Sequence, residues 1–140
     1  MKYRNVKLSG LKQIAKEVWK QTGPDNRIIG LVGTLGSGKT TFTRALAQIA
    51  LGITNAKSPT FTIIHCYNGR GKSFYHIDLY RLEKVRELDT LGLDELLAEK
   101  DSIVLIEWAD KFPKLLKTCD TIIEFEVLKN NLRNVTVTHN

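Results

Sequence analysis

Cysteine is scarce in this chain, with only Cys66 and Cys119 among 140 residues. The two lie far apart, without the close spacing of a metal-binding pair, and read as buried, reduced thiols of a cytoplasmic protein. Long hydrophobic runs are also missing. No stretch approaches the roughly 20 apolar residues of a membrane span. The start, Met1-Lys2-Tyr3-Arg4-Asn5-Val6-Lys7, has no apolar core behind it and does not read as a signal peptide. Internal repeats and low-complexity segments are absent. What is left is one domain over residues 1–140, long enough for a core and too short for two. Its apolar fraction of 42% and charged fraction of 26% are ordinary for a globular protein.

Charge is less even. Twenty-one Lys and Arg against 15 Asp and Glu leave a formal +6. That excess suits a nucleotide, an RNA or an acidic protein partner. The basic residues are scattered, so an ordinary solvated surface explains them equally well.

The chemistry is concentrated at Gly33-Thr34-Leu35-Gly36-Ser37-Gly38-Lys39-Thr40, a G-x-x-x-x-G-K-[ST] phosphate loop. It follows the apolar run 28–32 and precedes a helical pattern, which is the context the motif requires. Glycine lets the backbone wrap a phosphate without Cβ interference. The loop amides then point inward beside the positive end of the next helix. Lys39 would reach the β- and γ-phosphates and the Thr40 hydroxyl would ligate Mg²⁺.

Around this loop the pattern predicts an α/β domain. A short strand at Tyr3–Leu8 leads to Ser9, a helix cap. Leu11, Ile14, Ala15, Val18 and Trp19 form the apolar face of a first helix, which Gly23-Pro24-Asp25-Asn26 ends. Arg27–Val32 is the strand entering the loop. Lys39–Leu51 is the second helix, closed by Gly52. Thr60–Tyr67 and Lys72–Asp78 pair as a hairpin about Asn68-Gly69 and Gly71. Val85–Glu99 is helical with a break at Leu91-Gly92. Ile103–Ile106 is a strand buried on both faces, and Asp120–Leu128 with Leu132–Thr138 is a second hairpin around Lys129-Asn130-Asn131. The expected fold is a three-layer P-loop NTPase-like one, with a mixed, mainly parallel central sheet and antiparallel edge hairpins.

Hydrolysis or transfer also needs carboxylates to hold Mg²⁺ and position the attacking group, and these collect where buried strands end. Glu107 follows Ile103–Ile106, and Asp78 follows Phe74-Tyr75-His76-Ile77; each can also be a plain strand cap. Ser58-Pro59-Thr60-Phe61 is equally a switch segment, with Thr60 completing a Mg²⁺ shell, and a turn before a strand. Trp108 offers a flat ring to a base or a partner, although tryptophan more often packs in a core or interface. His76, in an apolar strand, reads as a hydrogen-bonded structural histidine.

Taken in order, the phosphate loop with Thr41, Ser58-Pro59-Thr60-Phe61, His76-Ile77-Asp78-Leu79-Tyr80-Arg81-Leu82, Glu87-Leu88 with Leu91-Gly92, and Ile106-Glu107-Trp108 resemble one family closely. It is the bacterial TsaE (formerly YjeE) family of ATPases in tRNA threonylcarbamoyladenosine biosynthesis. The resemblance implies that Gly33, Leu35, Gly36, Ser37, Gly38, Lys39, Thr40 and Thr41 bind the phosphates of ATP. It implies that Thr40 and Glu107 hold Mg²⁺ with Asp78 beside the metal, and that Thr60 acts as a switch near the γ-phosphate. Tyr80, Arg81 and Trp108 would lie about the nucleotide or a partner surface, and Ser9 near the adenine. The implied partners are TsaD and TsaB, with tRNA reached through that complex and no membrane involved. The implied activity is weak or partner-dependent ATP hydrolysis supporting formation of the modified adenosine at position 37. Departures from the family pattern are Thr34, Ser37 and Ala109-Asp110, none of which removes a phosphate or metal contact.

Three other readings share the loop. A small-molecule kinase would need an acceptor pocket and a mobile lid, for which no insertion is large enough. A GTPase fits Asp89-Thr90-Leu91-Gly92 formally, but that tetrad lies in a helical stretch and the Asn-Lys-x-Asp guanine signature is absent. A binding module could use nucleotide only to set its shape.

Overall fold

The two most continuous apolar runs become neighbouring parallel strands. In the computed structural model, which describes residues 1–22, 27–57 and 62–140, β2 (Ile28–Gly33) pairs with β5 (Ser102–Glu107), placing Ile28 beside Val104 and Leu31 beside Glu107. Every residue of β5 is buried. Because strand side chains alternate, the same runs feed two cores. Ile29, Leu31, Ile103 and Leu105 join Leu11, Val18, Phe42 and Leu46 of α1 (Leu11–Thr22) and α2 (Lys39–Leu51). Ile28, Val104 and Ile106 join Leu93, Leu115 and Cys119 on the opposite face. That face is covered by α3 (Val85–Asp89), α4 (Leu93–Ala98) and α5 (Pro113–Thr118).

The central pair is extended in parallel by β4 (Lys72–Asp78) on one side and β6 (Thr121–Val127) on the other. Antiparallel strands then finish both edges. β3 (Ile64–Gly69) pairs with β4, β7 (Arg133–His139) with β6, and β1 (Lys2–Val6) with β7. The order is β1-β7-β6-β2-β5-β4-β3. This is the expected α/β architecture, a sheet between helical layers with four parallel central strands and antiparallel edges.

Local differences have physical reasons. Ser9 does not cap α1. It lies within a 3₁₀ turn, Leu8–Gly10, and the helix starts at Leu11. Asn68 and Gly69 belong to the β3–β4 ladder opposite Ser73 and Lys72. The turn is Arg70-Gly71, with φ of 51° and 73°, the two-residue geometry whose twist matches the flanking strands. The break at Gly92 separates α3 from α4 as expected. The short helix α5, led by Pro113, was not anticipated; proline suits a first helical turn because its missing N–H is not needed there. Cys119 is buried as expected, and burial pushes its thiol up to about 12. Cys66 is exposed on the edge strand β3, contrary to its reading as a buried thiol. The expected helix break at 23–26 and the segment 58–61, including Thr60, lie outside the described residues. Among the described residues no helix is long and apolar enough to cross a membrane.

Gly30 shows how tightly the central strand is covered. A Cβ there would stand 2.9 Å from Cys119 Sγ and 3.1 Å from Ala109 Cβ. Overpacking of a well-filled core costs about 1–3 kcal/mol. Gly30→Val is therefore expected to lower unfolding free energy by at least that amount in urea titration; an unchanged midpoint would mean the α5 layer is loosely packed.

Candidate functional site

The phosphate loop turns at the carboxyl end of β2. Gly33 is needed for closeness, since a Cβ there would meet Phe125 O at 2.8 Å and Ser37 Oγ at 2.7 Å. Gly38, at φ 112°, is needed for conformation and enters α2 directly. The helix thus presents its free amides to the loop, the arrangement that favours an anion.

Lys39, only 4% exposed, turns back over its own loop. Its Nζ donates to Gly33 O at 2.6 Å and to Thr34 O at 2.9 Å, and stands 4.1 Å from the centre of the Trp108 ring. Burial lowers its pKa from the usual lysine range, while the carboxylates of Glu107, Asp78 and Asp110 pull it back up. The ammonium is poised between carbonyl dipoles and an aromatic face, both of which a phosphate can replace.

The strands β4 and β5 bring Asp78 and Glu107 side by side at their carboxyl ends. Glu107 is buried and its two carboxylate oxygens share the single Thr40 hydroxyl proton, at 3.0 and 3.2 Å from Oγ1. It also faces His76 Nε2 at 2.7 Å. A carboxylate only accepts, so His76 carries its proton on Nε2. His76 Nδ1 is buried without a partner among the described residues. Asp78 Oδ1 accepts the Tyr80 amide at 3.0 Å. Burial raises the Asp78 pKa above the usual carboxylate range; the Tyr80 amide opposes this and the nearby Glu107 charge adds to it.

Trp108 follows Glu107 in the left-handed conformation, φ 60° and ψ 35°, which is costly for a bulky residue and characteristic of functional sites. That turn lays its ring 5.0 Å from Tyr80, whose carbonyl accepts Lys111 Nζ at 2.6 Å. A cavity of about 630 Å³ lies between the two halves, lined by residues 35–41 on one side and by Asp78, Tyr80, Arg81, Glu107 and Trp108 on the other. A nucleotide fits such a volume.

The donor set fits Mg²⁺. Among the described residues no three His, Cys, Asp or Glu side chains form a metal cage. Mg²⁺ does not ask for one, since it is typically held by one or two carboxylates plus substrate phosphates. Adjacent ligands in an octahedron with bonds of 2.0–2.1 Å lie about 2.9 Å apart. Thr40 Oγ1 and Glu107 Oε1 stand 3.0 Å apart.

Of the sequence-derived residues, Leu35, Gly36, Ser37, Gly38, Lys39, Thr40, Thr41, Asp78, Glu107 and Trp108 meet in this cavity. Gly33 lies beneath it and supplies a carbonyl to Lys39. Ser9 lines a neighbouring cavity of about 320 Å³, which shares Leu8 and Thr41 with the first.

One residue escaped the sequence reading. Arg133 opens β7 at 1% exposure. Its Nε and Nη1 have no partner among the described residues, and its Cδ lies 3.9 Å from the position of a Gly38 Cβ. A buried, incompletely paired cation is expensive unless an anion approaches, so it adds positive potential behind the phosphate loop. The only signal in the sequence was an arginine in phase with the core residues Val135 and Val137.

Comparison with known proteins identifies the family. The family model described as "Threonylcarbamoyl adenosine biosynthesis protein TsaE" matches residues 6–135. The chain is 40% identical over 108 residues to the "tRNA threonylcarbamoyladenosine biosynthesis protein TsaE" of Haemophilus influenzae, covering 77% of this chain and 67% of that one. It is 44% identical over 110 residues to the Bacillus subtilis protein of the same description, covering 78% and 66%. It thus spans about two thirds of the length of these relatives. The crystal structure of Bacillus subtilis YdiB superimposes with a TM-score of 0.70 at 32% identity, covering 99% of this chain and 84% of that one.

Proposed function

This chain belongs to the TsaE family of threonylcarbamoyl adenosine biosynthesis proteins, and from that premise we propose that it is the Mg²⁺-dependent ATPase of the tRNA-modifying machinery. In this reading it serves formation of N6-threonylcarbamoyladenosine at position 37 of tRNAs that read codons beginning with A. It supports turnover of a TsaB–TsaD complex and does not transfer the threonylcarbamoyl group itself.

The observation that carries the reading is the Thr40–Glu107 contact at 3.0 Å, made in the same cavity as Lys39. It couples a phosphate cradle to a metal-type carboxylate. Mg²⁺, when bound, would neutralise charge on the transferring phosphoryl group. The remaining work falls to the protein. The amides of residues 35–40 hold the phosphates, and Lys39 exchanges the Gly33 and Thr34 carbonyls for phosphate oxygens. His76 fixes the orientation of Glu107 through Nε2. The Tyr80 amide aims Asp78, which would order the attacking water. Arg81, exposed and lining the same cavity, would meet the nucleotide or a partner that closes the site.

A pull-down with the TsaB–TsaD pair, with and without ATP, followed by an assay of repeated tRNA modification, tests this. ATP-dependent retention and restored multiple turnover are expected. Equal turnover without this chain, or phosphoryl transfer to a small-molecule acceptor, would overturn the reading in favour of a binding module or a kinase.

A further inference from the structure

The charge of the molecule is divided between its halves. Residues 1–77 hold 12 Lys and Arg against two acids, Glu17 and Asp25, whereas residues 78–140 hold nine against 13. The fold places the basic first half on one helical face and leaves the other face mixed in charge. α1 and α2 cover one side of the sheet, and α3, α4 and α5 the other. The second layer mixes exposed Asp89, Asp94 and Glu95 with exposed Arg86, Lys114 and Lys117. The first carries exposed Lys12, Lys16, Lys20 and Arg44, and α2 contains no acid at all.

The three lysines recur every four residues along α1, about 6 Å of rise per step, and so form one exposed row. The one acid of α1, Glu17, feels the charge of Lys20 but forms no salt bridge with the row and is held by other partners. It accepts the Tyr3 hydroxyl of β1 at 2.9 Å and Gln13 Nε2 at 3.0 Å. Among the described residues none of the four cations is ion-paired. At its Lys12 end the row runs into the smaller cavity, where Lys12 and Arg44 stand with Thr41 and Gln48 beside the apolar Leu8, Ala45 and Ile53. A row of cations outside any salt bridge that leads into a pocket flanked by two of them is more than a solvated helix face needs.

We propose that the α1–α2 face binds the backbone of an RNA, with one phosphate in the pocket between Lys12 and Arg44 and the strand continuing past Lys16 and Lys20. A phosphate backbone presents evenly repeated, permanent negative charge, which suits a regular row of lysines. Lysine stems tolerate the mobility of a single-stranded loop. The choice of RNA over an acidic protein rests on the tRNA-modifying reading; the surface itself is independent of ATP hydrolysis.

The test is fluorescence anisotropy of a labelled anticodon stem-loop RNA with the whole chain. Four phosphate contacts predict a slope of about −2.8 in log affinity against log salt, or about 50-fold weaker binding between 50 and 200 mM. Lys16→Glu/Lys20→Glu should weaken binding by about tenfold or more. Lys114→Glu/Lys117→Glu, the same charge change made at exposed positions of α5, should alter it less than twofold. Thermal melts check that both variants fold. Equal loss in the two variants would show a net-charge effect and sink the proposal, as would no RNA binding at low salt. Tighter binding of poly-glutamate or of phosphatidylserine vesicles than of the RNA would reassign the face to a protein or a membrane. Absent RNA binding with ATP-dependent TsaB–TsaD turnover intact defeats this proposal alone. RNA binding with no such turnover defeats the earlier one alone.

Discussion

Lys39→Ala is expected to abolish measurable ATP binding, with affinity falling at least 100-fold in isothermal titration. Lysine-to-phosphate bonds are charge-assisted and roughly twice as strong as neutral ones. Here the lysine as a residue is 4% exposed, and partial desolvation strengthens the attraction. The substitution also deletes donors to Gly33 O and Thr34 O, so a loosened loop would mimic the effect. Lys39→Met loses the same donors but keeps an unbranched side chain of similar length, so thermal melting separates the two causes. It should be equally defective in ATP binding while melting close to the parent, which assigns the loss to the charge rather than to a loosened loop. ATP affinity within about threefold of the parent in Lys39→Met would remove the phosphate-binding role.

Glu107→Gln is expected to leave ATP binding within several-fold and to cut Mg²⁺-dependent hydrolysis by about 100-fold or more, the scale at which loss of a single preorganised electrostatic group is felt. The amide retains the shape of the side chain and an oxygen for His76 Nε2 to donate to. It loses the negative charge a hard cation requires. Glu107→Ala would lose hydrolysis too, but it also strands His76 Nε2 in the core, and an unpaired buried donor costs about 1–3 kcal/mol. The Gln variant is therefore the sharper probe, with hydrolysis followed across a Mg²⁺ titration. Hydrolysis at the parental rate in Glu107→Gln would place the metal elsewhere.

The two variants divide the site along its construction. The cradle from Gly33 to Thr41 is contiguous in sequence, because a phosphate is wrapped by consecutive backbone amides and the residue types that permit this are local. The carboxylate half was legible only as two candidates, Asp78 and Glu107, each ending an apolar run. Their adjacency depends on the register of β4 against β5, and a register is a property of two strands together. The contact between Thr40 and Glu107 spans 67 residues, and that between His76 and Glu107 spans 31. Nothing near His76 in sequence reveals that its neighbour across the sheet is an acid.

The sequence by itself determined the layered α/β plan, the buried central strand at 103–106, the extent of α2, the break at Gly92 and the phosphate loop. Each is written in short-range periodicity or in residues whose backbone demands are local. The tertiary structure alone decided that Glu107 is shared by Thr40 and His76, that Trp108 turns left-handed to cover Lys39, and that Arg133 stands behind Gly38. It also decided that Lys12, Lys16, Lys20 and Arg44 share one face without an acid among the described residues in salt-bridge contact, while the other face mixes both signs. These are meetings of groups distant in the chain, and only the packing of two helical layers across one sheet brings them together.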